Sequence, residues 1–303
     1  MKVLVLGGNG FIGSHVVDKL LAAKYKVRVF DRSEEIYRSP LPGVDYRYGN
    51  FNDSFAVAEA LHDIEIVIHL ICSTVPATSN LDPEEDIKSN ILSTIRLLEN
   101  MRKKNIRRMV YLSSGGTVYG NVDENLVFED HPLNPICSYG VVKLTVEKYL
   151  FMYQQLYGFV PTIIRPSNPY GPRQGRTGLQ GLIGTFLNKI VAGDPIEIWG
   201  NGEIVRDHFF ITDLAQAVLM AIERGATGIF NVGSGQGYSI NQILLTLKEI
   251  QPFKFDVKYQ EGREFDVQRV VLDISKAERT LAWQPKVSLR EGIKKHMEWL
   301  QTQ

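Results

Sequence analysis

Val3-Leu4-Val5-Leu6-Gly7-Gly8-Asn9-Gly10-Phe11-Ile12-Gly13 opens the chain with an apolar run that breaks into a glycine-rich turn. Four β-prone residues predict a buried strand. Gly7 then lets the chain turn sharply, Gly10 lets the backbone approach a pyrophosphate, and Gly13 lets the next helix pack close to the strand. The spacing of Val16, Val17, Leu20 and Leu21 predicts that helix over Gly10–Lys24. Its first turn, Phe11 and Ile12 included, offers unpaired N–H groups and a partial positive charge that suit a diphosphate. The following strand-like run, Val27–Phe30, ends in Asp31. A carboxylate there accepts hydrogen bonds from both ribose hydroxyls and repels a 2′-phosphate, so NAD is expected rather than NADP. Arg32 beside it could tolerate that phosphate, but reads more simply as a solvated surface residue.

Strand-like and helix-like segments alternate onward from this unit. Ile66–Leu70, Met109–Ser113 and Pro161–Arg165 read as strands, and Ile91–Lys103 as a helix with Ile91, Leu92, Ile95, Leu98 and Met101 on one side. Such alternation predicts an α/β fold of the Rossmann type, a doubly wound parallel sheet with ligands at the carboxyl ends of its strands. Beyond Pro166 prolines and glycines crowd a loop and the elements shorten, which predicts a smaller α/β substrate-binding lobe. The expected division is a dinucleotide-binding domain over 1–166, with 206–235 returning to it, and a lobe made of 167–205 and 236–303. Ile229–Val232 reads as a further strand.

With 303 residues, 44% of them hydrophobic, the chain can bury a large core, and its formal net charge of zero gives no sign of a nucleic-acid partner. No apolar run reaches membrane-spanning length, and a start directly on a strand leaves no leader to expect, so a cytoplasmic protein is anticipated. Two cysteines, Cys72 and Cys137, argue against a disulfide scaffold. The six histidines show no ligand spacing, and no metal is expected.

Tyr139-Gly140-Val141-Val142-Lys143 carries the second chemical signal. A free phenol titrates near 10 and is a poor base at neutral pH. Lys143, at i+4 on a helix predicted over Tyr139–Tyr157, shares its face. The ammonium, together with the positive charge of an oxidised nicotinamide, is expected to draw Tyr139 toward useful basicity. A hydroxyl must also hold the substrate oxygen, and Ser113-Ser114-Gly115-Gly116-Thr117-Val118-Tyr119-Gly120 supplies Ser113, Ser114 and Thr117 as candidates.

These motifs together resemble the extended short-chain dehydrogenase/reductases of the NAD-dependent sugar epimerase/dehydratase family, most of all those of UDP-glucose 4-epimerase type. The resemblance spans essentially the whole chain. It includes Arg165-Pro166-x-Asn168-x-Tyr170-Gly171-Pro172-Arg173, Arg206-Asp207 before Asp213, Arg263-x-x-Asp266 and Trp283-x-Pro285. It implies that Asn50 and Phe51 flank the adenine, that Leu70, Ile71 and Ser113 line the cofactor, and that Asn90 lies near the nicotinamide. Tyr139 and Lys143 would touch the same cofactor. On the substrate side it implies Asn168, Arg206 and Arg263 for a diphosphate and Asp266 for the nucleoside ribose. Two separated arginines are also what a diphosphate requires on physical grounds.

One position departs from that pattern. Where family members carry the catalytic Ser or Thr, this chain has Gly115, so the hydroxyl is expected from Thr117, with Ser114 or a water in the space beside Gly115 as alternatives. Relatives that eliminate water or decarboxylate carry carboxylates just before Val-Tyr-Gly, whereas here Gly116 and Thr117 stand there. Asp31 opposes the NADPH that related reductases use. What remains is reversible oxidation at the sugar C4 through a 4-keto intermediate, acting on UDP-glucose/UDP-galactose or the N-acetylhexosamine pair. A dehydratase, decarboxylase or reductase is the alternative. A non-catalytic dinucleotide-binding protein is a further one, although it would be expected to lose Tyr139 or Lys143. Counting from Asp266 to Asp273 places the small Val270 where hexose-specific relatives resemble one another in carrying tyrosine, which predicts room for a 2-acetamido group. The apolar surplus on Ile91–Lys103 and Tyr139–Tyr157 predicts a homodimer joined through those helices.

Overall fold

The computed structural model describes residues 1–122, 124–175, 181–250, 255–261 and 268–303. Its first half runs β1 (Lys2–Leu6), α1 (Phe11–Ala22), β2 (Lys26–Asp31), β3 (Val44–Tyr48), α2 (Ser54–Ala60) and β4 (Ile66–His69). Then come α3 (Pro83–Asp86), a π-helical turn (Ile87–Leu92), α4 (Ser93–Lys103), β5 (Arg108–Leu112), α5 (Ser138–Tyr157) and β6 (Val160–Pro166). The second half runs β7 (Asn168–Tyr170), α6 (Leu182–Ala192), β8 (Ile196–Trp199), β9 (Val205–Phe210), α7 (Ile211–Glu223), β10 (Gly228–Val232) and β11 (Gly237–Ser239). It closes with α8 (Ile240–Ile250), β12 (Val257–Gln260), β13 (Arg269–Val270), α9 (Ser275–Leu281) and α10 (Leu289–Gln301).

Seven strands form one sheet in the order β3-β2-β1-β4-β5-β6-β10, every pair parallel. The order reverses between β1 and β4, and such a switch point opens a crevice at the strands' carboxyl ends. Alternation fills both faces. Val3 and Val5 pack with Val16, Val17 and Leu20 of α1 and Leu214 and Val218 of α7. Leu4 and Leu6 point the other way, toward Val57 of α2, Leu97, Leu98 and Met101 of α4 and Leu150 of α5.

The sequence reading missed β3. Val-Asp-Tyr-Arg-Tyr lacks an apolar run because β3 is an edge, and charges on an edge discourage pairing with another chain. Asp45 also holds the buried Arg28 of β2 at 2.6 Å. Beyond the large sheet, β9 pairs antiparallel with β11 and parallel with β7 and β13. β8 and β12 form a separate parallel pair. The Trp-x-Pro segment docks on α7: Trp283 Nε1 donates to the Asp213 carbonyl at 3.0 Å, and the Lys286 and Val287 amides donate to its carboxylate. Among the described residues no helix is long and apolar enough to cross a membrane.

Candidate active site

At the switch point the glycine turn is sterically obligatory. Gly7 has φ +84°, and a Cβ there would stand 3.1 Å from the Ile71 side chain, so Leu70 and Ile71 close over the loop from the end of β4. A Cβ on Gly13 would fall 2.0 Å from the Gly7 carbonyl, a distance only backbone movement could relieve. Gly10 caps α1 without a side-chain acceptor, so the N–H groups of its first turn face the crevice unneutralised by any cap. Asp31, at the end of β2, receives the Asn9 amide at 3.0 Å and the Ser33 amide at 3.2 Å, while Arg32 is exposed. Asn9 Oδ1 is buried without a partner beside them. A cradle that tolerates no Cβ, an uncapped helix start, a carboxylate at the second strand's end and an orphaned acceptor together fit a dinucleotide. Asn50 is exposed and its side chain closes the turn onto the Asn52 amide, whereas Phe51 is buried 4.9 Å from the His69 ring.

Tyr139 and Lys143 rise from the first turns of α5 beside the ends of β5 and β6. Lys143 is buried, donates to the Leu112 carbonyl at 2.7 Å, and stands 5.5 Å from the Tyr139 ring centre and 5.0 Å from that of Tyr111. Burial drives the Tyr139 phenol well above the usual tyrosine range, Cys72, Cys137 and Asp86 add to the rise, and its hydrogen bond with Ser114 opposes it. Burial holds Lys143 below the usual lysine range as well. The expected lowering of the phenol's pKa joined Lys143 to the charge of an oxidised nicotinamide, and these shifts are those of the protein alone.

A cavity of about 360 Å³ brings Tyr139 together with Phe11, Ile12, Ser113, Ser114, Thr117 and Asn168. Thr117 Oγ1 is buried and has no partner among the described residues, so the hydroxyl favoured from sequence is not committed to any of them. Ser114 is the one already bonded to the phenol. Ser113 turns inward and donates to Glu147. The space expected beside Gly115 is not there: a Cβ at that position would lie 2.5 Å from Leu272 and 3.1 Å from the Arg165 and Pro166 carbonyls.

Beneath these residues lies a buried polar chain that the sequence reading passed over. Glu147 takes two bonds from Arg165, at 3.0 and 2.6 Å, and Arg165 donates on to the Tyr119 hydroxyl, which donates to Asn231. A signal for it existed. Tyr139, Lys143 and Glu147 are spaced by fours on one helix face, and an arginine inside the apolar strand Pro161–Arg165 demands a buried partner.

Asn90, expected near the nicotinamide, is committed to scaffolding. It accepts from the Ser73 amide at 3.0 Å and donates to the carboxylate of Asp86 at 2.8 Å. Asp86, fully buried, also accepts from Thr74 at 2.7 Å and Ser138 at 2.6 Å. The loop between them caps α5 from outside: Asn80 Oδ1 accepts from the Ser138 amide at 2.8 Å and Ser79 Oγ from the Tyr139 amide at 3.0 Å. The same loop supplies Pro76 and Ala77 to the cavity wall.

A second cavity of about 300 Å³ lies under the small sheet, lined by Asn168, Arg206, Glu197, Trp199 and His208 among others. Asn168 is common to both cavities and donates to the Asp207 carbonyl at 2.9 Å. Arg206 donates to its neighbour's carbonyl, that of Val205, at 2.9 Å. Arg263 and Asp266 lie outside the described residues. Val270 pairs with Arg206 in register, is buried among Val118, Tyr119, Val127 and Leu272, and lines neither of these two cavities.

Residues 3–233 match the NAD dependent epimerase/dehydratase family. A UDP-glucose 4-epimerase from Mycolicibacterium smegmatis is 33% identical over 319 residues, covering 99% of this chain and 98% of its own. A dTDP-4-dehydro-6-deoxyglucose reductase from Escherichia coli is also 33% identical, over 97% of this chain and 95% of its own. Among solved structures, the Thermotoga maritima UDP-glucose 4-epimerase with UDP-glucose is 36% identical, with TM-score 0.95 over 100% of this chain and 99% of that one.

Proposed function

This chain belongs to the NAD-dependent epimerase/dehydratase family, and from that premise we propose that it interconverts the C4 epimers of a UDP-linked hexose or N-acetylhexosamine. The observation that carries the reading is the makeup of the reaction cavity. A phenol and two hydroxyls, Tyr139, Ser114 and Thr117, meet there, and the residues before Val118 where relatives hold carboxylates are Gly116 and Thr117. That set can move a proton on and off a hydroxyl but has no carboxylic acid with which to expel water from C5 and C6.

In this reading Tyr139 takes the proton from the C4 hydroxyl as the sugar becomes a 4-keto compound, and returns it to the other epimer. NAD, when bound, supplies the hydride acceptor and donor and a positive charge that favours the phenolate. Ser114 holds the phenol oxygen, and Thr117 offers its unpartnered hydroxyl to the C4 oxygen. Lys143 adds the second positive charge and reaches the nicotinamide ribose, and Asp31 receives the adenosine ribose hydroxyls. Asn168 and Arg206, with Arg263, hold the diphosphate, and Asp266 the nucleoside ribose. The division of labour between the large sheet (1–166 with 206–235) and the smaller lobe (167–205 and 236–303) belongs to the same proposal. So does a cytoplasmic homodimer joined through α4 and α5, the second of which exposes Val141, Met152 and Leu156.

The test is incubation of the purified protein with UDP-, GDP- and dTDP-sugars, with products separated as C4 epimers. Conversion without added cofactor, and NAD released on denaturation, are expected. Stoichiometric consumption of reduced cofactor with a 4-keto sugar would move the assignment to the reductases.

A further inference from the structure

With Ser113 and Ser167, Gln174 is one of the buried polar side chains of the reaction cavity that the proposed chemistry leaves unused. Gln174 follows directly on the Asn168–Arg173 motif, is 6% exposed, and lines the same cavity as Tyr139. Its Oε1 is buried and meets no donor among the described residues. Among the described residues its Nε2 reaches the Pro169 carbonyl alone, at 3.5 Å, the outer limit of a hydrogen bond. Native proteins rarely leave such groups unpaired, because each costs the desolvation of a polar atom with nothing in return.

Shape, not bonding, holds the carboxamide where it is. An added Cβ at Gly181 would fall 2.0 Å from Nε2, and one at Gly184 would fall 2.6 Å from Oε1. Two glycines one turn apart at the start of α6 thus open a slot that an amide fills without good bonds of its own. Leucine or methionine would fill the same volume at no polar cost. The slot also has an informative address. Pro169, Asn168 and Gly181 line both the reaction cavity and the second cavity, so Gln174 stands where the two meet. A nucleotide sugar lying across that junction puts its pyranose, not its base, beside the amide.

We propose that Gln174 is a specificity-determining substrate contact, whose unpartnered amide end hydrogen-bonds a hydroxyl on the edge of the pyranose that faces the second cavity. The inference rests on the nucleotide-sugar reading above. A hydroxyl donates to Oε1 or accepts from Nε2 equally well, so the pairing holds for either orientation of the amide. A sugar lacking that hydroxyl leaves the amide buried and unpaired, and a site built around a hydrogen bond rejects such analogues.

Gln174→Leu, with Gln174→Met as a second variant should the first fold poorly, tests this. Steady-state kinetics and calorimetry with UDP-glucose, its 2-, 3- and 6-deoxy analogues and UDP alone give the readout, beside thermal melting. The expected result is an affinity for UDP-glucose about tenfold weaker, an unchanged affinity for UDP, and a melting temperature equal to wild type or higher. One deoxy analogue should bind the wild type about as weakly as UDP-glucose binds the variant, and bind both proteins alike. The proposal is overturned if UDP-glucose binds variant and wild type equally, if UDP weakens in step with it, or if every deoxy analogue keeps the wild-type preference over the variant. Wild type that turns over no nucleotide sugar would instead sink the underlying functional reading, and the two failures are told apart by the unmutated protein alone.

Discussion

The two ends of the crevice are built from different materials. Under the glycine turn the surface is mostly backbone: the first N–H groups of α1, the carbonyls at the ends of β1 and β5, and positions where no Cβ fits. Under the small sheet it is mostly side chain: Asn168, Arg206, Glu197 and Trp199, brought from three separate strands. A backbone site is fixed by the fold and varies little. A side-chain site can change its ligand one residue at a time while the chemistry beside it stays in place.

Tyr139→Phe should have the largest effect, because the phenol belongs to neither end and is the group proposed to carry the C4 proton. Turnover is expected to fall by a factor of about 10²–10⁴, with cofactor content and melting temperature unchanged. A variant that keeps a tenth of the wild-type rate would remove Tyr139 from the proton path. Gly13→Ala probes the backbone end. With 2.0 Å to the Gly7 carbonyl, α1 must move off β1. A loss of about 3 kcal/mol in urea denaturation and purification without NAD are expected. If the alanine variant is as stable and as loaded as wild type, the backbone end is not rigid and the contrast fails.

Val270→Tyr sharpens the contrast from the side-chain end. Since Val270 is buried among Tyr119 and Leu272 and reaches neither cavity, the tyrosine should cost about 1–3 kcal/mol of stability through overpacking. The ratio of specificity constants for UDP-glucose and UDP-N-acetylglucosamine should not move, and a changed ratio would restore Val270 to the sugar site. His296→Leu should have the smallest effect, confined to acid. Burial, with His15 adding, holds His296 down to about 4, whereas an unfolded histidine titrates near 6.5. Because the folded value is the lower one, the stability is whole above 6.5 and drains away as pH falls toward 4. The leucine variant should lose roughly 2 kcal/mol less than wild type between pH 7 and pH 5. Parallel pH dependence in the two proteins would show that folding does not lower the pKa of His296.

The same contrast explains what could be read before the structure. The glycine turn, Asp31 and the doubly wound parallel sheet were legible because backbone requirements leave a local residue pattern: a missing Cβ, a four-residue apolar run, a carboxylate at a strand's end. Tyr139 and Lys143 were legible because one helical turn puts them together. Edge strand β3 was not, since edges are written in charges. The Glu147–Arg165 pair joins an α-helix to a β-strand and needed two distant clues to be combined. Gly115 was read as leaving open space when it is in fact pressed against Leu272, a tertiary contact that no local pattern records. Gln174 went unnoticed because nothing in its neighbours marks a buried amide; the slot comes from Gly181 and Gly184, beyond the motif that ends at Arg173.

The loop that caps α5 has a consequence for how this scaffold can diversify. Ser79 and Asn80 hold the amides of Ser138 and Tyr139, and Pro76 and Ala77, on the same short segment, form part of the wall that a sugar would touch. An insertion or deletion there, the usual way in which a loop adapts to a new ligand, would drag the tyrosine's helix out of register with the glycine turn. This wall is therefore tied to the placement of Tyr139, whereas a side chain such as Gln174, on a segment that does not cap α5, can be exchanged without moving it.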